Sequence, residues 1–363
     1  MEQNNHGGDL YKIAKQYGIN EKEILDFSAN INPLGLSQQL KQMLIDNIDN
    51  LINYPDPDCN ELRNNISEYL GVPKEAIITG NGASEMIYLL FDVLRPSRVL
   101  IPAPCFSEYT RAVANFDAEI CYYELKEEED FRLNIPDFLT HITDGLDTVI
   151  LCNPNNPTSA LISREELLKL IEYGQRRNVN IIVDEAFIEL TVGGNNNSLA
   201  CYLQQYSNLF IIRAVTKILA IPGLRLGYVL GDPLTILRMW QRKIPWSVNT
   251  FACGIGKLLK KDSEYFRATA CWLQEEIDWL FNEMVKLRGI KVFKPDTNFI
   301  LFKILDMNLN SALLKEELIM NSILIRDASN FKFLDNRFVR IAIKDRASNI
   351  RFVDALKKVL YDL

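Results

Sequence analysis

The sequence predicts an α/β protein, with a large domain on a mainly parallel sheet and a smaller α+β domain at its C-terminal end. Three observations carry this. Between about 77 and 245, short apolar runs alternate with amphipathic helical stretches, the pattern of parallel strands joined by helical crossovers and covered on both faces. After about 250 the alternation gives way to a long helix-like stretch, 262–288, followed by short strands and a final helix. The chain has 363 residues and is 48% hydrophobic, enough for two or three packed units rather than one small core.

In chain order, residues 1–35 read as an N-terminal arm, punctuated by Gly7-Gly8 and by Asn30-Ile31-Asn32-Pro33-Leu34-Gly35. Helical periodicity appears near 37–50 and 60–70. Between them Tyr54-Pro55-Asp56-Pro57 forces extended or turn backbone, because each proline restricts its predecessor. The large domain, 36–249, has strands at 98–101, 148–152, 180–183, 209–213 and 226–230, with helices such as 83–94 and 163–176 between them. The small domain, 250–363, has short strands near 290–293, 298–303, 323–326 and 337–343 before a last helix over 347–361.

Composition narrows the function classes. A net charge of −7 argues against nucleic acid as the main partner. No run of about 20 apolar residues occurs, so no spanning helix and no membrane role is expected. Met1-Glu2-Gln3-Asn4-Asn5-His6 lacks the basic start and apolar core of a secretory signal. The 7 cysteines are scattered without a Cys-x-x-Cys pair, which fits a reducing cytoplasm. With 2 histidines, a histidine-rich metal site is excluded and no metal is expected; acid–base chemistry falls to lysine, tyrosine or carboxylates.

The most informative stretch runs from the strand Ile211-Ile212-Arg213 into Ala214-Val215-Thr216-Lys217 and on to Pro222-Gly223-Leu224-Arg225-Leu226-Gly227. A lysine at a strand exit, held in an apolar pocket, loses its proton more easily and becomes a nucleophile for an aldehyde. An arginine beside it suits a phosphate. Two more apolar runs end in polar residues: Val149-Ile150-Leu151-Cys152 feeds Asn153-Pro154-Asn155-Asn156-Pro157-Thr158, and Ile181-Ile182-Val183 feeds Asp184-Glu185-Ala186-Phe187. In open parallel sheets the carboxyl edge is where ligands bind. One small molecule needs an amine-reactive aldehyde site, a phosphate site and a carboxylate for a protonated ring nitrogen, and that is pyridoxal 5'-phosphate. Gly80-Asn81-Gly82-Ala83-Ser84-Glu85 opens a helix whose free amides attract phosphate.

In these motifs, their order and their spacing, the chain resembles the fold-type I pyridoxal-phosphate enzymes of the class I/II aminotransferase superfamily along nearly its whole length. The resemblance implies Schiff-base formation at Lys217, Asp184 on the ring nitrogen and Asn156 on the ring hydroxyl. It places Gly82, Ala83, Ser84, Thr216 and Arg225 around the cofactor phosphate and Phe106 against the ring. Ala214 stands where many relatives carry a serine, and Phe187 where many carry a tyrosine. Tyr54 resembles the tyrosine that reaches the cofactor of the neighbouring subunit, which implies a homodimer.

His6-Gly7-Gly8, the run Asp26-Phe27-Ser28-Ala29-Asn30 and Pro245-Trp246-Ser247-Val248-Asn249 resemble the threonine-phosphate decarboxylase branch of that superfamily, which serves cobalamin synthesis. The resemblance implies that His6, Gly7, Asn30 and Asn156, with Arg326 and Arg340, bind a phosphorylated amino acid, Arg340 taking the carboxylate and Arg326 the phosphate. Lys344 stands where those relatives tend to have an arginine, which leaves phosphoserine open beside phosphothreonine. Histidinol-phosphate aminotransferase is the competing activity. A non-catalytic aminotransferase-like binding protein is the remote one, disfavoured because Lys217 is retained.

Overall fold

The structure is a computed structural model that describes residues 7–362. The arm strand is β1 (Leu25–Asp26). Seven strands follow before residue 231: β2 (Ile77–Gly80), β3 (Arg98–Ala103), β4 (Glu119–Glu124), β5 (Thr148–Cys152), β6 (Asn180–Asp184), β7 (Leu209–Arg213) and β8 (Gly227–Leu230). They form one sheet in the order β2-β8-β7-β6-β5-β3-β4. β3 to β7 run parallel where they pair, and β8 runs antiparallel to both of its neighbours.

Side-chain alternation sorts this sheet into two faces. Ile150, Ile182, Ile212 and Val229 pack with residues of the helices Gly82–Leu94, Ser107–Ala114 and Pro233–Arg242. Val149, Leu151, Ile181, Val183, Leu209 and Ile211 pack on the other face, with the helix Arg164–Arg176 and the C-terminal region. The helix Arg164–Arg176 starts where the sequence allows it: Ser163 and Glu166 form a reciprocal capping box.

The small sheet holds β9 (Ile290–Val292), β10 (Phe299–Ile304), β12 (Arg326–Asp327) and β13 (Phe338–Ala342), in the order β12-β13-β10-β9 and antiparallel throughout. β11 (Ile323–Leu324) leaves that sheet and pairs in parallel with β1. The single strand expected near 323–326 is therefore split at Ile325, because its two halves serve different partners. Phe27 stacks on Phe352, and Ala342 N donates to Phe27 O at 2.7 Å, so the arm lies against the C-terminal region. The helical pattern near 37–50 resolves into the helix Gln38–Asp46 and a 3₁₀ turn, Ile48–Ile52. Among the described residues no helix is long and apolar enough to cross a membrane.

Candidate active site

The carboxyl ends of β5, β6 and β7, the turn after β2 and the arm enclose a cavity of about 460 Å³. Asp184, the last residue of β6, faces the same side as Ile182 and is buried. Its Oδ1 accepts from Ala186 N at 3.0 Å and its Oδ2 from the Tyr109 hydroxyl at 2.7 Å. Burial pushes the Asp184 carboxyl up to about 6, against the opposing pull of those two hydrogen bonds. Across the cavity, the Lys217 amine lies 6.0 Å from the Phe187 ring centroid. Burial first, then the positive charges of Arg340 and Arg225, lowers it to about 8. A larger share of this amine is neutral near neutral pH than for a solvated lysine, as attack on an aldehyde requires.

The turn into the helix Gly82–Leu94 brings Ala83 and Ser84 to the cavity beside Arg225. Gly82 has φ +80°, and a Cβ there would collide with the Arg225 guanidinium. A Cβ on Gly227 would collide with the backbone of Gly82 and Ala83, so two glycines permit this approach of strand, turn and guanidinium. The helix start and the arginine form a cradle for an anion of phosphate size. Thr216, Ala214 and Phe106 also line the cavity, and Phe106 meets Tyr109 edge-on at 5.7 Å.

Arg326 and Arg340 are direct cross-strand partners on β12 and β13, and both are buried. Arg340 donates to Asn156 Oδ1 at 2.6 Å and to Ser28 O at 2.7 Å. The first contact fixes the Asn156 amide with its NH₂ away from the guanidinium, the orientation that a donor to a ring hydroxyl needs. Arg326 donates to Asn330 Oδ1 at 2.7 Å and to Asp327 O. Burial lowers Arg340 to about 9, with Arg326 adding to the effect, and burial lowers Arg326 to about 10. Like charges directly opposite on a sheet oppose folding unless an anion sits between or beside them.

Asn30 lines the same cavity, buried, and neither side-chain atom has a hydrogen-bond partner among the described residues. Gly7 lines it too, and a Cβ there would collide with Ser28 O. Gly8 N donates to Ser28 Oγ at 2.8 Å, which closes this stretch of the arm onto the residues before Asn30. His6 lies outside the described residues. Tyr54 does not line the cavity: it is 83% exposed, its ring 5.1 Å from that of Trp246.

Sequence reasoning missed Tyr109, Ser28 and Asn330. The spacing of three from Phe106 to Tyr109, at the start of the helix Ser107–Ala114, was the available signal for Tyr109; Asn330 lies in the turn after β12 and carried none.

Residues 22–356 match the family Aminotransferase class I and II, and the chain belongs to it; the cofactor of this family is pyridoxal phosphate. The chain is 36% identical to the threonine-phosphate decarboxylase of Salmonella typhimurium, over 98% of this chain and 96% of that one. The solved structure of the histidinol-phosphate aminotransferase from Clostridium acetobutylicum superposes with a TM-score of 0.87 at 34% identity, covering 94% of this chain and 100% of that one. The L-threonine-O-3-phosphate decarboxylase from Porphyromonas gingivalis superposes with a TM-score of 0.81 at 28% identity, covering 92% and 98%.

Proposed function

We propose that this protein decarboxylates L-threonine O-3-phosphate to (R)-1-amino-2-propanol O-2-phosphate, the amine used for the nucleotide loop of cobalamin. One observation carries the reading. Two buried arginines, directly paired across β12 and β13, line the same cavity as the Lys217 amine. A phosphoamino acid brings an amine and two anions, and that arrangement complements all three. Histidinol phosphate brings an amine and a single anion, so in that activity only the co-substrate 2-oxoglutarate, with two carboxylates, would engage both arginines. The relatives named threonine-phosphate decarboxylase support the same choice.

In this reading Lys217 holds the cofactor and later moves the proton at the substrate α-carbon. Asp184, oriented by Tyr109 and Ala186, keeps the ring nitrogen protonated, and Asn156 donates to the ring hydroxyl. Ala83, Ser84, Thr216 and Arg225 take the cofactor phosphate, with Gly82 leaving room for it. When bound, the cofactor supplies an electron sink for the pair released as CO₂ departs. Arg340 takes the α-carboxylate and Arg326 the substrate phosphate. Asn30 and the Gly7–Ser28 stretch of the arm, with His6 ahead of it, would hold the substrate carboxylate and keep water from the reacting carbon.

We assign 1–35 as the arm, 36–249 as the large domain and 250–363 as the small domain. The exposed apolar side chains Leu51, Ile52, Tyr54, Ile244 and Trp246 support a homodimer in which Tyr54 reaches the partner's cofactor pocket. The scattered free cysteines are consistent with a cytoplasmic protein.

The deciding assay gives the pure holoenzyme phosphothreonine, phosphoserine, or histidinol phosphate with 2-oxoglutarate, and measures CO₂ and glutamate. Release of CO₂ from phosphothreonine should dominate. Glutamate formation well above CO₂ release would overturn the assignment in favour of histidinol-phosphate aminotransferase.

A further inference from the structure

Outside the catalytic cavity, two thiols face each other. Cys59 Sγ and Cys253 Sγ are 4.0 Å apart although 194 residues separate them in sequence. Cys59 is buried and closes the turn that starts at Asp56, and Cys253 is partly exposed on the helix Thr250–Gly254. A lysine stands beside them. Lys243 is 9% exposed, and its ammonium has no hydrogen-bond partner among the described residues; it rests over the Trp240 ring at 4.6 Å. A buried ammonium without an anion is costly, and a thiolate nearby would offset that cost. The hydrogen bond from Cys253 and the charge of Lys243 both lower the Cys59 thiol, against the effect of burial.

The other cysteines lack this combination. Burial pushes the Cys105 thiol up to about 12 and raises Cys152 as well. Cys201 and Cys271 are exposed, and neither has a partner thiol among the described residues.

We propose that Cys59 and Cys253 form a site of reversible oxidative modification, a dithiol that a hydroperoxide closes to a disulfide ahead of the other cysteines. The Cys59 thiolate sulfur attacks the peroxide; the O–O bond breaks, a sulfenic acid forms and, with hydrogen peroxide, the departing hydroxide takes up from solvent the proton that the thiol had released and leaves as water. Cys253 sulfur then attacks that sulfenic sulfur. The S–O bond breaks, the hydroxyl departs with the Cys253 proton as a second water, and the S–S bond forms. Two electrons leave the sulfurs and two reduce the peroxide.

The cross-link ties the start of the helix Asn60–Leu70 to the helix Thr250–Gly254. Tyr54 lies just before the first and Trp246 just before the second, and their rings already touch. The disulfide therefore restrains both segments of this exposed aromatic pair. That turnover falls as a result rests on the homodimer reading; the chemistry of the thiols does not.

The test treats holoenzyme with hydrogen peroxide at less than one equivalent per thiol and maps cysteines by mass spectrometry. A Cys59–Cys253 linked peptide, lighter by two hydrogens and released by dithiothreitol, should form before Cys201 or Cys271 is modified. Lys243→Met should slow it. Turnover should fall severalfold in the wild type, return with dithiothreitol, and hold in Cys253→Ser and Cys59→Ser. Earlier oxidation of Cys201 or Cys271, or equal rates with Lys243→Met, would overturn the site. A disulfide that leaves turnover unchanged would overturn its consequence for activity.

Discussion

The floor and the wall of the cavity are built in different ways. The floor comes from one sheet: Asp184 ends β6, Cys152 ends β5, and Lys217 follows β7 by a short turn. Each group is delivered by a strand whose other residues are core, so backbone packing alone fixes its place. The wall is assembled from distant parts of the chain: Arg340 reaches Ser28, 312 residues away in sequence, and Asn156, 184 residues away. β1 and β11 clamp the arm to the C-terminal region by a pairing of two residues each. A cofactor site can thus stay fixed while the wall, and with it the choice of reaction, changes. Damage to the floor should remove all chemistry, and damage to the wall should redirect or weaken it.

The sharpest break of that comparison is Lys217→Ala. The purified variant should lose its yellow colour, and borohydride should fix no cofactor. A reducible linkage in that variant would remove Lys217 from the floor. Next comes Asp184→Asn, which keeps the shape and loses the charge. Turnover should fall by roughly 10²–10³-fold with cofactor still bound, the scale on which one electrostatic stabiliser acts at a reacting centre. The pH dependence follows from the same floor. The folded Lys217 amine titrates near 8, below the free lysine value, so it costs stability to the cofactor-free protein at low pH. That cost fades as pH rises through about 8 toward the unfolded value, and the rate of cofactor uptake by the apoprotein should rise over the same window. A flat uptake rate across that window would contradict a neutral attacking amine.

The floor was legible in the sequence because strand ends announce themselves. An apolar run that stops at Asp184 or Asn153, or a strand that exits toward Lys217, is a local pattern. The wall was legible only through family resemblance. Nothing local in Ile323–Asp327 says that the segment splits between two sheets, since only its distant partners β1 and β13 decide that. Tyr109 was invisible for a similar reason. A helical tyrosine reads as core until the carboxylate of a strand 75 residues on is known to meet its hydroxyl. The antiparallel turn of β8 also escaped, because a buried apolar run carries no direction.

The wall should respond more selectively. Arg326→Ala should weaken phosphothreonine by about 2–5 kcal/mol in kcat/KM, the cost of breaking a desolvated charge pair, with far less effect on unphosphorylated threonine. Equal losses on both substrates would show that Arg326 does not read the phosphate. Deleting residues 1–8 should leave cofactor absorbance intact and sharply lower CO₂ release, since the contact of Gly7 and Gly8 with Ser28, beside Asn30, is then lost. Unchanged decarboxylation would remove the arm from the wall.

The smallest expected effect joins floor to wall through Tyr109. Its hydroxyl is one of two donors that favour the charged form of Asp184 against burial, and removing it with Tyr109→Phe leaves the ring in place. A hydrogen bond to a charged group contributes about 1.5–3 kcal/mol, and part of that should appear as weaker pairing with the protonated ring nitrogen. Cofactor affinity, read by titrating the apoprotein and following absorbance, should drop by roughly tenfold, which corresponds to about 1.4 kcal/mol. kcat should fall while KM for phosphothreonine stays near the wild-type value, because Tyr109 acts on the floor and not on the arginines. A change in KM alone would move Tyr109 to the wall, and unchanged affinity with unchanged kcat would reduce it to a packed core residue.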